Sequence, residues 1–301
     1  MEALSTGIST EFRIGAPAIA FDFDGTLIDS GLDKGIHIMC AVWSAFKLNG
    51  LGHYLHEDDI RTDIDLMLTA YVKYPGAPRF QQLSALANSL IHHIPSSIDE
   101  DKLEVLPDEI RERYSQIKAS FNHTYSRLND TAAALYWKPF PLVHSTLRRL
   151  VGKHDLYIAS GVTEDLLFED LERHSFDRQL FRGIYGGNKS GGSDKAELLH
   201  TIQAKGYPDV LFVADSNRDL LYAQQAGARF FRIRKNRDFI RLAKSLEQGL
   251  PDEQETWSYT PEELDFFFRK TGTIIRMVLR KGDYKNYKKM TEIIHDSDSR
   301  H

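Results

Sequence analysis

Ala18-Ile19-Ala20-Phe21-Asp22-Phe23-Asp24-Gly25-Thr26 is an apolar run of strand length that meets two aspartates one residue apart and then a glycine turn. In an extended segment, residues i and i+2 share a face, so Asp22 and Asp24 point together while Phe23 points the other way. Carboxylates held side by side repel, and such a pair persists where a cation or a shared proton relieves it. Carboxylate oxygens suit hard Mg²⁺, and an aspartate can also attack phosphorus to form an acyl phosphate. Taken alone, the same residues also read as a surface Asp-Gly turn after a buried strand.

Three further apolar runs have the same character: Leu156 to Ala159, Val210 to Ala214 and Phe230 to Ile233. Short apolar runs bounded by polar turns and alternating with helical stretches indicate an α/β fold, an open, doubly wound parallel sheet with helices on both faces. Ligands of such sheets sit at the carboxyl ends of the strands, where this chain carries Asp22, Ser160 and Asp215. The interval between the first two runs is far too long for a simple crossover. Helical spacing of Ile36, Cys40, Trp43 and Phe46, and again of Ile60, Ile64, Met67 and Leu68, makes it an inserted helical domain. The expected organisation is an N-terminal segment (1–15), a core (16–30 and 140–237), a helical insert (31–139) and a helical C-terminal extension (238–301).

The residues with chemical potential run in order: Asp22 and Asp24, Ser160 in Ile158-Ala-Ser-Gly161, Lys195 in Gly192-Ser-Asp-Lys-Ala196, then Asp215 and Asp219 in Val213-Ala-Asp-Ser-Asn-Arg-Asp219. This ordered set resembles the haloacid dehalogenase superfamily of phosphohydrolases over roughly residues 16 to 235, with Ala214 standing where glycine is more usual. The resemblance implies a nucleophilic Asp22 and an Asp24 that serves as general acid and base and joins the metal shell through its backbone carbonyl. It further implies Asp215 as the other protein ligand to Mg²⁺, and Ser160 with the Gly161 N–H as donors to the phosphoryl oxygens. Lys195 would neutralise the transferring group, Asp219 would orient Lys195 or water, and Thr26 would support Asp24. Ser160 alone could equally cap the following helix, and Lys189, in the same glycine-rich loop, competes with Lys195.

Composition narrows the function class. The 301 residues carry a formal charge of −5, with 42% hydrophobic and 27% charged residues, and lack the basic excess of a nucleic-acid binder. No stretch has the length of a spanning helix, the start lacks the pattern of a secretion signal, and a single cysteine excludes an internal disulfide; a cytoplasmic location is expected. The expected activity is Mg²⁺-dependent hydrolysis of a small phosphorylated metabolite through an aspartyl phosphate. A phosphomutase or phosphotransferase, or a nucleic-acid end phosphatase motivated by the basic tail, is the alternative. In the insert, Lys73 to Phe80 sets two cations and two aromatics around a Pro-Gly turn, and Arg79 would grip a second anionic group of the substrate. The stretch Leu264 to Leu279 reads as a helix packed on the core or on a second copy of the chain, so a homo-oligomer through the C-terminal helices is one expectation. An interfacial membrane helix or partner-docking element is the other.

Overall fold

The computed structural model describes residues 17–73, 79–91, 108–187, 194–207 and 209–276. The chain divides into two compact units, one of residues 1–29 and 138–256, the other of residues 30–137 and 257–301.

The first unit is built on a five-stranded sheet whose paired strands are all parallel, in the order β3-β2-β1-β4-β5. Its strands are β1 (Ala18–Phe21), β2 (Asp155–Thr163), β3 (Phe181–Gly187), β4 (Val210–Ala214) and β5 (Arg229–Arg232). Every residue of β1 is fully buried, as required of a central strand covered on both faces. Helices α5 (Val143–Leu150), α6 (Glu164–Arg173), α7 (Lys195–Gln203), α8 (Asn217–Gln225) and α9 (Asp238–Gln248) belong to this unit. Four strands coincide with the apolar runs of the sequence. β3 does not, because Phe-Arg-Gly-Ile-Tyr-Gly-Gly has three glycines and an arginine in place of an apolar run, as an edge strand tolerates. β2 also continues three residues beyond Ser160, where Gly161 is exposed and Val162 and Thr163 are half-buried.

Past β1 the chain turns on main-chain bonds from Leu27 and Ile28 to the Phe23 carbonyl. Where it leaves this unit and later returns, Asp29 N–H donates to Lys138 O, and Ile28 bridges Pro139. Phe140 packs against Phe239, their ring centroids 5.8 Å apart, so it is a core residue. The free edge of β5 is covered by the segment after α9: Glu253 N–H donates to Phe230 O, while the carboxylates of Asp252 and Glu253 accept from Phe230 N–H and Arg232 N–H. Two acidic side chains thus occupy donors that would otherwise invite another strand.

The second unit contains α1 (Gly31–Leu48), α2 (Ile60–Tyr71), α3 (Arg79–Ile91), α4 (Asp108–Leu135) and α10 (Pro261–Ile274). α1 is buried on nearly every side from Gly35 to Phe46, so the other helices pack around it. α10 starts at a capping box between Thr260 and Glu263 with Pro261 in the first turn, which satisfies its orphan N–H groups. It packs on α1 and α2, burying Phe267 and Ile274, and its Lys270 donates to Asp33 Oδ1 at 2.5 Å. The helix runs through Gly272, where an added Cβ would sit 3.2 Å from Ile64 Cδ1. The sequence reading put 238–301 in one extension. The chain instead parts after Thr256, α9 staying with the sheet and α10 joining the helices that begin at Ser30. Among the described residues no helix is long and apolar enough to cross a membrane. Residues 1–15, Lys189, Gly192 and the basic positions from Arg280 onward lie outside the described residues.

Candidate active site

Asp22 follows β1 directly, its N–H still paired to Val213 O at 2.9 Å, and Asp215 follows β4, so both lie at the carboxyl ends of neighbouring parallel strands. The sharp turn after Asp22 requires glycine. Gly25 sits at φ +74°, and a Cβ on it would lie 2.4 Å from Asp215 Oδ2. That clearance lets the turn of the first motif pack against the carboxylate of the last.

Lys195 is the first residue of α7, where a cation opposes the helix dipole. It is held there by two carboxylates, its Nζ lying 2.8 Å from Asp22 Oδ2 and 2.6 Å from Asp219 Oδ1. Burial alone would lower the lysine pKa, but the adjacent Asp219 and Asp22 outweigh it and raise the value, so Lys195 remains protonated. Asp219 is in turn fixed by a capping box at the start of α8. Ser216 Oγ donates to Asp219 Oδ2 at 2.5 Å, and Asp219 N–H donates back to Ser216 Oγ at 3.1 Å.

Carboxylate oxygens of Asp22, Asp215 and Asp219 lie within 4.8 Å of one another. At that separation each pair of charges repels by about 3 kcal/mol at an effective dielectric near 20. Burial first, and then the neighbouring carboxylates, push Asp22 and Asp215 above the usual carboxylate range, against the opposing pull of Lys195. Three acidic groups and one amine leave an excess of negative charge, and an all-oxygen donor set suits a hard divalent cation. The residues present therefore fit a Mg²⁺-type ion.

Ser160 is 1% exposed and its Oγ accepts from Val162 N–H at 3.3 Å. It does not cap α6, since Thr163 occupies the N-cap position. Gly161 lies beside the lysine stem, a Cβ there being 3.8 Å from Lys195 Cε. Asp24 is half-buried, and its carboxylate is outside the three-carboxylate cluster, though its charge acts on Asp22 and on His174. Thr26 is fully buried and its hydroxyl has no hydrogen-bond partner among the described residues, so no bond from it to Asp24 is present. Arg79 begins α3, and its side chain lies outside the described residues.

Two contributors escaped the sequence reading. Ser216 was legible as the first member of a Ser-x-x-Asp capping pattern. Arg232 donates from Nη1 to Asp215 O at 3.1 Å, and its signal was a charged residue within the apolar run Phe230 to Ile233.

The haloacid dehalogenase-like hydrolase family matches residues 19–233, which is most of the chain. No curated protein matches. Among solved structures, a haloacid dehalogenase-like family hydrolase from Streptococcus pneumoniae is 20% identical, covers 84% of this chain and 98% of its own, and superposes with a TM-score of 0.45. A predicted phosphoglycolate phosphatase from Haemophilus somnus is also 20% identical, covering 71% and 84%, with a TM-score of 0.45. A conserved haloacid dehalogenase-like protein of unknown function from Agrobacterium tumefaciens is 18% identical, covering 77% and 100%, with a TM-score of 0.47. With the family match running from the first strand to the last and enclosing every charged residue of the cluster, this chain belongs to the haloacid dehalogenase-like hydrolases.

Proposed function

We propose that the protein is a Mg²⁺-dependent phosphatase of a small phosphorylated metabolite, working through a phosphoryl group carried on Asp22. The observation that supports this reading is the meeting of Asp22, Asp215 and Asp219 with Lys195 at the carboxyl ends of β1 and β4. Asp22 and Asp215 would hold the ion, joined by the main-chain carbonyl of Asp24. When bound, the ion lowers the repulsion between an anionic nucleophile and an anionic phosphate ester.

Asp22 attacks phosphorus, forming an O–P bond as the ester O–P bond breaks, and the leaving oxygen takes a proton from Asp24. Asp24, now ionised, accepts a proton from water as that water attacks the phosphoryl group, which returns Asp22 as a carboxylate and releases inorganic phosphate. Lys195 has two tasks. Its charge favours the ionised form of Asp22 against the opposing effect of burial, and the same ammonium offsets charge that builds on the phosphoryl oxygens. Asp219, held by Ser216, fixes the lysine in place for both. Ser160 and the Gly161 N–H supply neutral donors from β2.

The deciding assay is phosphate release from a generic aryl phosphate with and without Mg²⁺, run on wild type and Asp22→Asn. Activity that needs Mg²⁺ and vanishes in Asp22→Asn is expected. Undiminished turnover by the variant would remove Asp22 from the nucleophile role, and transfer to a sugar phosphate in place of water would make the enzyme a mutase or phosphotransferase.

A further inference from the structure

Arg232 is 8% exposed, and a cation so deeply placed is tolerated only where its donors are satisfied. Its two terminal nitrogens go in different directions. Nη1 donates to the main-chain oxygen of Asp215 and Nη2 to that of Glu255, each at 3.1 Å, with the guanidinium 5.0 Å from the Phe230 ring centroid. Ladder bonding between β4 and β5 ends one residue earlier, where Ile233 N–H donates to Ala214 O at 2.9 Å. The next carbonyl, that of Asp215, has passed the end of the sheet, and the arginine supplies a donor to it. The peptide carrying Asp215 is thereby held in line with β4, which sets where the Asp215 side chain leaves the backbone.

The other half of the fork ties this peptide to the segment covering the β5 edge. That segment is itself well anchored: Glu253 accepts from Arg232 N–H and pairs with Arg241, and Arg241 donates to Arg232 O at 2.8 Å. A planar guanidinium presents its two terminal nitrogens in fixed, divergent directions, whereas an ammonium reaches two oxygens only where both converge on one nitrogen.

We propose that Arg232 is a positioning residue for Asp215, clamping the metal-facing loop to the 250–256 segment and so setting the affinity of the site for its divalent ion. This rests on the reading of Asp215 as a metal ligand. Residues behind a metal ligand typically contribute about 10- to 100-fold in metal affinity.

The test uses full-length wild type, Arg232→Met and Arg232→Lys, with calorimetric titration of MgCl₂ in the absence of substrate, thermal melting in chelator, and steady-state kinetics on an aryl phosphate. Roughly tenfold weaker Mg²⁺ binding is expected for Arg232→Met and a smaller loss for Arg232→Lys, which keeps the charge and loses the fork. The Mg²⁺ concentration for half-maximal activity should move by the same factor, while KM for the ester at saturating Mg²⁺ stays put. A drop in chelator melting temperature with unchanged Mg²⁺ affinity would make Arg232 purely structural and overturn the proposal. Should Arg232→Met not fold, wild-type affinity in Arg232→Lys overturns it equally. A wild-type protein that binds no Mg²⁺ defeats the functional reading and this role with it, whereas normal wild-type binding that the variants retain defeats only the role of Arg232.

Discussion

Replacing Lys195 with methionine removes the cation from between Asp22 and Asp219 while nearly keeping the volume of the stem. At 2.8 and 2.6 Å the lysine attracts each carboxylate by a gross Coulomb energy of about 6 kcal/mol at an effective dielectric of 20. The desolvation already suffered by all three groups, and proton uptake by the stranded carboxylates, reduce this to a net cost of about 3–5 kcal/mol, the usual loss when one partner of a buried pair is deleted. In a unit of this size that corresponds to a melting temperature lower by roughly 10 °C. Scanning calorimetry in chelator should show the fall in the transition of the sheet-containing unit. Because a divalent cation supplies the missing positive charge, saturating Mg²⁺ should shift the variant upward by more than it shifts wild type. Turnover should nevertheless drop by about 10²- to 10³-fold, since charge on the phosphoryl group would lose its lysine. A variant that melts with wild type in chelator, or that gains no more from Mg²⁺ than wild type does, would refute the electrostatic account of the cluster.

Gly25→Ala should lose about 1–2 kcal/mol from the left-handed backbone, and, since the new methyl would meet the Asp215 carboxylate, Mg²⁺ binding measured by calorimetry should weaken as well. His37 is buried, donates from Nδ1 to Asn129 Oδ1 at 2.7 Å and has its pKa lowered to about 4 by that burial. The unfolded chain therefore takes up the proton first, and stability falls as pH drops from about 6.5 toward 4, by about 2 kcal/mol at pH 5. Denaturant titrations of His37→Gln should show its deficit relative to wild type shrinking across that window; a constant deficit would mean that His37 does not titrate there. Phe267→Ala, which empties a fully buried site in the second unit, should cost about 3–5 kcal/mol, seen as faster amide hydrogen exchange in α1 and α2 with β1 unaffected.

Which parts of the molecule could be read from the chain depended on how local their cause was. β1, β4 and the first half of β2 announce themselves because an interior strand buried on both faces is a run of apolar residues, and β5, though at an edge, is still marked by Phe230 and Phe231. β3, the other edge strand, is mostly half-exposed and carries three glycines and an arginine, so it leaves no such signature. Asp22, Asp215 and Lys195 were legible because each is a polar residue placed where an apolar run or a glycine-rich loop stops. The tight packing of Asp219 into the same cluster was less so, since an aspartate in the first turn of a helix has an ordinary reason to be there. Arg232 was hidden inside a run counted as strand. Its partners are main-chain oxygens of residues 215 and 255, and no residue type encodes a carbonyl. The amphipathic pattern of α10 revealed that it must pack on something, but its docking against α1 and α2 depends on surfaces more than 190 residues earlier in the chain.

β1, among the first described residues to be synthesised, is the middle strand of its sheet, flanked by β2 and β4. At about 5–20 residues per second a ribosome needs on the order of ten seconds or more to deliver the last of these neighbours. Until β2 is made, Ala18 to Phe21 is an apolar strand on the nascent chain with neither neighbour present. The helices that follow it cannot finish their own core either, because α10 emerges only after the whole sheet has been made. Both units therefore complete their cores only late in synthesis, the sheet when β4 and β5 arrive and the helices when α10 does.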